Sequence, residues 1–349
     1  MSRKATQNRS PAKPKPGERP KRAPAAVASY APSDLEGTVK GPNNADFDSE
    51  KASQRLRKAF KGLGTDEKIV IEVVGGHTNW QRQEIKKKYK TMFGRDLISD
   101  LEDELGGHFL DAALALMCPS HLYDAHCIRK AVVGTGTDES CLIDILCSKS
   151  NSELELIKEA YYQEFRRSLE KDLSDETSGE FGKFLKALVT ANREDSTDVD
   201  VKLADKDAAK LQAAGVEKLG TDEEIFNYIL CLRSWPQLRA TFESYRKRTE
   251  RDIETDIRKE FSNDIRDGLL AIVRIVKNPQ AFFAEKIYES MRGAGTDDDS
   301  LIRLIVSRSE IDLAQIKEEY QRRYKKTLAK AIREDCSGDY ARLLLRVVG

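Results

Sequence analysis

The sequence predicts an all-α protein built from four copies of one helical unit. A glycine-containing motif returns four times, as KGLGTDE, VGTGTDE, EKLGTDE and RGAGTDD. Apolar residues recur at helical spacing after each motif, and the alternation typical of strands is sustained nowhere. The last glycine of the motif is Gly64, Gly136, Gly220 or Gly295, so successive copies are separated by 72, 84 and 75 residues. Similar units therefore follow one another, with a longer join in the middle.

Each motif is interpreted as a corner between two helices. Its glycine ends the first helix, because glycine accepts backbone conformations that other residues avoid. The threonine that follows stands where an N-cap belongs, and the acids after it favour the positive end of a helix. These threonines are Thr65, Thr137, Thr221 and Thr296. The apolar positions expected to face the core are Ile69, Val70, Val73, Val74, Leu142, Ile143, Leu146, Ile225, Phe226, Ile229, Leu230, Leu301, Ile302, Ile305 and Val306.

The first part of the chain differs in composition from the rest. Residues 1–45 contain seven of the ten prolines and few large apolar groups, so a disordered basic tail is expected there. The first 30 residues hold eight Lys or Arg and one acid, while the whole chain has a net charge of zero. The remainder is therefore acidic. Repeats are expected over 46–118, 119–190, 191–277 and 278–349, with the polar segment 190–207 leading into the third.

Several classes of protein are disfavoured by what the sequence lacks. No apolar run approaches the ~18 residues of a membrane span, and no secretory signal is visible, so a soluble cytoplasmic protein is expected. Export to the cell surface by another route is left open. Six cysteines without a CxxC pair predict reduced thiols. Four histidines without a catalytic motif predict that the protein is not an enzyme, and its acidic body is not expected to bind nucleic acid.

A carboxylate lies forty residues after the last glycine of every motif. These acids are Glu104, Glu176, Glu260 and Asp335, and the residue after each differs between copies. The acid is therefore retained while its surroundings change. Backbone carbonyls of a glycine turn together with one remote carboxylate are oxygen ligands of the kind that Ca²⁺ prefers. Such a site is expected to be weak and to leave room for a lipid phosphate oxygen, so that calcium bridges an acidic protein to an acidic membrane.

These features resemble the annexin family. The resemblance covers residues 46–349 and rests on the four corners, the distant acids and the longer join after the second copy. Phrases such as ADFDSEKASQRLRKAFKGLGTDE, MRGAGTDDDSLIRLIVSRSEIDL and CSGDY strengthen it. The resemblance implies four five-helix repeats arranged as a curved disc, with calcium loops on the membrane side.

Carried over by position, the resemblance also implies a ligand set for each repeat. The first set is Phe60, Gly62, Gly64 and Glu104, the second is Val132, Gly134, Gly136 and Glu176, and the fourth is Met291, Gly293, Gly295 and Asp335. The third corner departs from the pattern because Lys218 replaces the first glycine, and its implied ligands are Gly215, Lys218, Gly220 and Glu260. The second corner has Val133 where the first and fourth have a basic residue. The acids two residues past the threonines are either minor ligands or ordinary helix-start acids.

The function implied by the resemblance is calcium-dependent binding to anionic phospholipid membranes, steep in calcium because several weak sites act together. A helical-repeat scaffold for proteins or the cytoskeleton, with little calcium dependence, is the alternative. The tail is a candidate for binding a protein partner, and self-association on membranes is a further candidate. The repeats, and not the tail, are expected to carry lipid binding.

Overall fold

The computed structural model describes residues 32–62, 64–134, 136–215 and 222–349. A short 3-10 helix at Pro32–Asp34 precedes the α-helices. The first repeat contains α1 Ser49–Ala59, α2 Glu67–Val74, α3 Asn79–Phe93, α4 Leu97–Glu104 and α5 Gly107–Met117. The second contains α6 Ser120–Val132, α7 Glu139–Leu146, α8 Asn151–Phe165, α9 Leu169–Glu176 and α10 Gly179–Val189. The third contains α11 Val201–Ala214, α12 Glu223–Leu232, α13 Trp235–Thr249, α14 Ile253–Glu260 and α15 Asn263–Lys277. The fourth contains α16 Pro279–Ser290, α17 Asp298–Arg308, α18 Leu313–Tyr324, α19 Leu328–Asp335 and α20 Gly338–Val348.

Four five-helix repeats are thus present, which confirms the predicted all-α class. Within each repeat the first and third helices pack along each other: α1 on α3, α6 on α8, α11 on α13 and α16 on α18. The first and fourth repeats meet through α2 and α5 against α17 and α20. The second and third meet through α7 and α10 against α12 and α15. The repeats therefore form two pairs, and each pair buries its own contact surface.

The apolar stripes predicted after each corner form the core. Twelve of those fifteen side chains are buried, because they fall on the inward stripe of α2, α7, α12 and α17. The other three, Ile69, Ile225 and Val306, are partly buried and pack against the same cluster. Burying a large aliphatic side chain contributes roughly 1.5–3 kcal/mol, so these stripes are a main source of each repeat's stability.

The join between the second and third repeats is shorter than expected. Helix α10 ends at Val189 and α11 begins at Val201, so residues 201–207 are helical and not part of a linker. The segment between them is fixed to both repeats. The amide of Glu194 donates to the carbonyl of Leu232 (2.7 Å), and the guanidinium of Arg193 lies 3.9 Å from the ring centre of Trp235. The join therefore holds the two repeats against each other.

Residues 36–42 form an N-terminal strap across the first and fourth repeats. The amides of Thr38 and Val39 both donate to the carbonyl of Ser309, at 2.8 and 3.0 Å. The Thr38 hydroxyl donates to the carbonyl of Val347 (2.7 Å), and Val39 is buried. The expectation of a disordered tail over 1–45 was therefore wrong for these residues, while residues 1–31 lie outside the described ranges.

Two further observations bear on the sequence predictions. Among the described residues, no helix combines the length and apolar character needed to cross a bilayer. All six cysteines are free thiols, and Cys141, Cys147, Cys231 and Cys336 are buried.

The strap leads to the first prediction. An added Cβ at Gly37 would lie 2.5 Å from the backbone of Glu310 and 2.7 Å from the carbonyl oxygen of Ser309. Neither atom can yield as a flexible side chain would. Gly37→Ala should therefore lower the free energy of unfolding by about 1–3 kcal/mol, measured by urea titration.

The matched control is Gly106→Ala, because the backbone of Gly106 is extended and nothing lies within 4 Å of its added Cβ. Gly106 is the N-cap of α5, where alanine is less favourable than glycine, so this variant should lose no more than about 1 kcal/mol. Equal losses in the two variants would mean that the strap is not packed as described.

Candidate functional site

Each corner reverses the chain between the first and second helices of its repeat. One backbone hydrogen bond closes it, from the amide of an aspartate to a carbonyl in the last turn of the preceding helix. The bonds run from Asp66 to Ala59 (3.0 Å), Asp138 to Ala131 (2.9 Å), Asp222 to Ala214 (2.9 Å) and Asp297 to Ser290 (2.8 Å). Three of them span seven residues, whereas the third corner spans eight. The third corner thus has one more residue between its bonded ends, and residues 216–221 within it lie outside the described ranges.

Glycine is required in these corners by backbone conformation and not by lack of space. In the first corner Gly62 and Gly64 have φ of 142° and 92°, and nothing lies within 4 Å of an added Cβ at either. The same pair of positive values occurs at Gly134 and Gly136 (122° and 102°) and at Gly293 and Gly295 (126° and 97°). Residues with a side chain rarely adopt such angles. The positive angles turn the peptide units within the corner, which is how a short loop can direct several carbonyls to one point.

The residue that caps the second helix is not the one predicted from the sequence. The threonines were expected to be N-caps, but the aspartate after each threonine takes that role. The carboxylate of Asp138 accepts from the amide of Cys141 (3.0 Å), and Asp66, Asp222 and Asp297 make the equivalent bond to the third residue beyond. The threonine hydroxyls are therefore available for other contacts.

In the first and fourth repeats the freed hydroxyl meets the distant acid. The hydroxyl of Thr65 donates to Oε2 of Glu104 (2.6 Å), and that of Thr296 donates to Oδ2 of Asp335 (2.5 Å). All four distant acids are the last residues of the fourth helices α4, α9, α14 and α19. Residues about forty positions apart in the chain are thus brought together at two corners.

The second corner is arranged differently. Here the hydroxyl of Thr137 bonds to the nearby Glu139, and the carboxylate of Glu176 makes no hydrogen bond or ion pair with any residue in the described ranges. Helix α6 includes Val132, whereas the equivalent residues Phe60 and Met291 are the C-caps of α1 and α16, with ψ close to zero. Val133 is 53% exposed. Helix α6 therefore extends one residue further into its corner than α1 and α16 do.

The third corner is described only at its edges. Gly215 caps α11 with φ −101°, while Lys218 and Gly220 lie outside the described residues. Oε1 of Glu260 lies 2.9 Å from Nζ of Lys259, and its side chain is only 18% exposed. The residue that follows, Phe261, packs edge-on against Phe226. This distant acid is thus more enclosed than the other three.

Residues beside the corners and the distant acids approach neighbouring repeats. Glu104 and Asp339 line one cleft between the first and fourth repeats. Nζ of Lys130, which precedes the second corner, lies 2.7 Å from Oδ2 of Asp299, which follows the fourth. Glu139 shares a second cleft with Asp264 of the third repeat.

The donors at these corners decide what they can hold. No group of three or more His, Cys, Asp or Glu side chains suited to a metal occurs in 32–62, 64–134, 136–215 or 222–349. Any cation at a corner would thus depend on backbone carbonyls together with one or two carboxylates. In the fourth repeat, burial and the neighbouring Asp335 raise the pKa of Cys336 to about 11. This thiol stays protonated at neutral pH, and it adds no charge beside Asp335.

Comparison with known proteins agrees with this architecture. The sequence model of the annexin family matches residues 51–116, 123–188, 206–272 and 282–347. The chain belongs to the annexin family. Human (Homo sapiens) annexin A7 is 46% identical over 314 residues, which cover 90% of this chain and 64% of that protein. Human annexin A13 is 45% identical over 302 residues, covering 86% of this chain and 96% of that protein.

Solved annexin structures share the fold. Annexin III superposes with a TM-score of 0.88 at 42% identity, covering 90% of this chain and 97% of its own. A calcium-bound annexin (Sm)1 structure superposes with a TM-score of 0.82 at 31% identity, covering 90% and 93%. Membership of the annexin family supports calcium-dependent binding to phospholipid in general, by proteins that are not enzymes as a rule. The absence of catalysis stays a prediction for this chain.

One set of residues near the corners was missed by the sequence reasoning. An aspartate lies 36 residues after the motif's last glycine in three copies, at Asp100, Asp172 and Asp256, and the fourth copy has Ala331. All three aspartates are buried. The same counting that found the distant acids would have found this column.

The capping arrangement gives a second prediction. Asp138→Ala removes the side-chain acceptor at the start of α7 and should lower the free energy of unfolding by about 1 kcal/mol. Thr137→Val in the same corner removes a hydroxyl that caps nothing, so its effect should be within about 0.5 kcal/mol. Thermal or urea unfolding of the two variants measures the difference. A larger loss for Thr137→Val would restore the threonine as the cap.

Proposed function

We propose that this chain binds anionic phospholipid surfaces through calcium ions held at its helix corners. In the first repeat the ligands are the carbonyl oxygens of Phe60, Gly62 and Gly64 with the carboxylate of Glu104. The equivalent sets are Val132, Gly134, Gly136 and Glu176 in the second repeat, Gly215, Lys218, Gly220 and Glu260 in the third, and Met291, Gly293, Gly295 and Asp335 in the fourth. A lipid phosphate oxygen completes the coordination of each ion.

The contact between a corner and its distant acid carries this proposal. Because the Thr65 hydroxyl touches Glu104 at 2.6 Å, the carboxylate lies within reach of the corner's backbone. The Thr296 and Asp335 pair gives the same support in the fourth repeat. The donors would be oxygen atoms alone, which suits a hard cation with six to eight oxygen ligands such as Ca²⁺.

Charge explains why an ion is needed. The described body is acidic, since the basic residues of the first 30 positions balance it to a net charge of zero. An acidic body is repelled by an anionic membrane unless a cation lies between them. Each site offers one formal negative charge, so its own affinity is expected to be weak, on the order of 10⁻⁴ M. Neighbouring sites on one surface then multiply the affinity by ~10²–10⁴.

The four sites should not be equivalent. In the first and fourth repeats the acid already contacts the corner, so less rearrangement accompanies calcium binding. In the second, Thr137 is engaged with Glu139. In the third, Glu260 is paired with Lys259 and the corner is one residue longer. We therefore rank the first and fourth as the primary sites.

The alternative, a scaffold with little calcium dependence, is supported by no feature of the described residues. The tail as a docking segment for a protein partner, and self-association on a membrane, stay proposals. Neither enters the mechanism, because the corners lie in the repeats.

The third prediction tests the distant acids. The triple variant E104Q/E176Q/D335N removes three carboxylates and should raise the calcium concentration for half-maximal vesicle binding by at least about tenfold. Binding is measured by sedimentation with phosphatidylserine vesicles across a calcium titration. The wild-type chain should pellet only with calcium, and a chelator should release it.

The control is D103N/D175N/E334Q, which changes the same charge one residue earlier in each repeat. This variant should bind within about twofold of the wild type, because a residue one position earlier on a helix lies about 100° away around the helix axis. Equal losses in the two triple variants would mean that net charge alone is responsible. Pelleting without calcium would favour the scaffold.

A further inference from the structure

A buried aspartate joins the two halves of the first candidate site. Asp100, in the first turns of α4, is 3% exposed. It accepts a hydrogen bond from the hydroxyl of Tyr89 on α3 and another from Nε of Arg95 (2.8 Å). Nη1 of Arg57 on α1 lies 3.4 Å away. This carboxylate therefore ties α4 to α1 and α3 at once.

The second repeat has the same junction. Asp172 on α9 is 1% exposed and accepts from the hydroxyl of Tyr161 (2.7 Å) and from Nε of Arg167 (2.8 Å). Nη1 of Arg129 on α6 donates to it at 2.8 Å. The junction is thus a repeated feature of the fold and not a local accident.

The position of the junction relates it to calcium. Asp100 lies one helical turn before Glu104, so the two side chains share one face of α4. Arg57 lies three residues before Phe60, whose carbonyl begins the corner. The ion pair therefore connects the helix that carries the acid to the helix that leads into the corner. The second repeat has identical spacings.

Both aspartates are ionised in this setting. Burial alone would raise the pKa of Asp100 and of Asp172, but hydrogen bonds from the neighbouring arginines and tyrosines outweigh it and lower both values. The tyrosines show the reciprocal effect, because burial and the adjacent carboxylate raise the pKa of Tyr89 and of Tyr161 to about 12. The junction at neutral pH thus combines an ionised carboxylate with charged arginines and a neutral tyrosine hydroxyl.

The fourth repeat lacks this junction. Ala331 stands in the column of Asp100, and Tyr288 stands in the column of Arg57. The ring of Tyr288 on α16 stacks on that of Tyr324 on α18, with centroids 3.9 Å apart and planes within 7°. This aromatic contact joins the first helix of the repeat to the third and does not include α19. The helix that carries Asp335 is therefore not held by a buried carboxylate.

The third repeat holds only part of the junction. Asp256 accepts from the hydroxyl of Tyr245 (2.7 Å) and pairs with Arg251 (3.2 Å). Its first helix has Gln212 in the column of Arg57. The helix that carries Glu260 is thus tied to α13, and the arginine that would tie it to α11 is missing.

We propose that Asp100 and Asp172, with Arg57 and Arg129, are positioning residues for the first and second calcium sites. They fix the distance between the corner carbonyls and the distant carboxylate before calcium binds. Calcium binding therefore requires less ordering of the chain, which raises the calcium affinity. This rests on the calcium function proposed above. The second site depends on the junction most, because Thr137 does not hold Glu176 there.

The test compares variants of the full chain in calcium titrations with phosphatidylserine vesicles. R57M/R129M is the mild variant, because each aspartate keeps its tyrosine and its second arginine. D100N/D172N is the more disruptive variant. E104Q/E176Q removes the ligand carboxylates of the same two sites and gives the shift in half-maximal calcium concentration expected when both sites are lost. Mutation of a residue that holds a metal ligand in place typically lowers the metal affinity 10–100-fold. With two further sites intact, both junction variants should raise half-maximal calcium at least about threefold.

The matched control is D124N/D207N. These aspartates are equally buried and form ion pairs with Lys149 (2.6 Å) and Arg233 (2.7 Å), but neither touches α4 or α9. Melting of the calcium-free protein, followed by circular dichroism, measures the loss of stability in each variant. The melting temperature of the control should fall by a comparable amount. Its calcium concentration for half-maximal vesicle binding should stay within about twofold of the wild-type value.

The outcomes separate the two proposals. Calcium shifts in both junction variants and none in the control support positioning. If the calcium concentration for half-maximal binding is unchanged in R57M/R129M and D100N/D172N, positioning is overturned. An equal shift in the control also overturns it, because the effect would then be one of general stability. A wild-type chain that never binds vesicles with calcium overturns the calcium function itself, and the positioning role with it.

Discussion

Each corner must reverse the chain within seven or eight residues, and the rest of the site depends on that constraint. One backbone hydrogen bond, such as that from Asp66 to Ala59, closes the reversal. Positive φ at Gly62 and Gly64 makes it possible, and the aspartate that closes it also caps the next helix. Because the aspartate is used in this way, the hydroxyl of Thr65 is free to meet Glu104. Turn, cap and acid contact therefore form one connected arrangement.

The fourth helix of each repeat carries the distant acid. The contacts that hold this helix in place decide whether a corner and its acid form a site. In the first two repeats a buried carboxylate fixes it through arginine and tyrosine. In the fourth repeat Ala331 replaces that carboxylate, and the stacked rings of Tyr288 and Tyr324 join α16 to α18 instead. Breaking a buried ion pair by removing one partner is costly, commonly ~3–5 kcal/mol, and the fourth repeat has no such pair at this position. The repeats can therefore have the same geometry and still respond differently to substitution and to acid.

Much of this was predictable from the sequence, and what was missed has physical causes. Helical periodicity located the core, and the fixed spacing from glycine to acid identified Glu104 and Asp335 as partners of their corners. The N-cap was misplaced by one residue, because the cap depends on where the corner closes and not on residue type alone. The strap was missed because it is held mainly by backbone bonds to Ser309, with Val39 its buried side chain. The choice of Thr137 between two acids is a rotamer choice that no local pattern encodes.

A crystal grown with calcium and measured for anomalous scattering tests the central claim most directly. We expect calcium ions at the first and fourth corners, each bound by the corner carbonyls and by Glu104 or Asp335, with an open coordination position toward solvent. Calcium bound elsewhere, or corners without ions in crystals of a chain that binds vesicles, would contradict it.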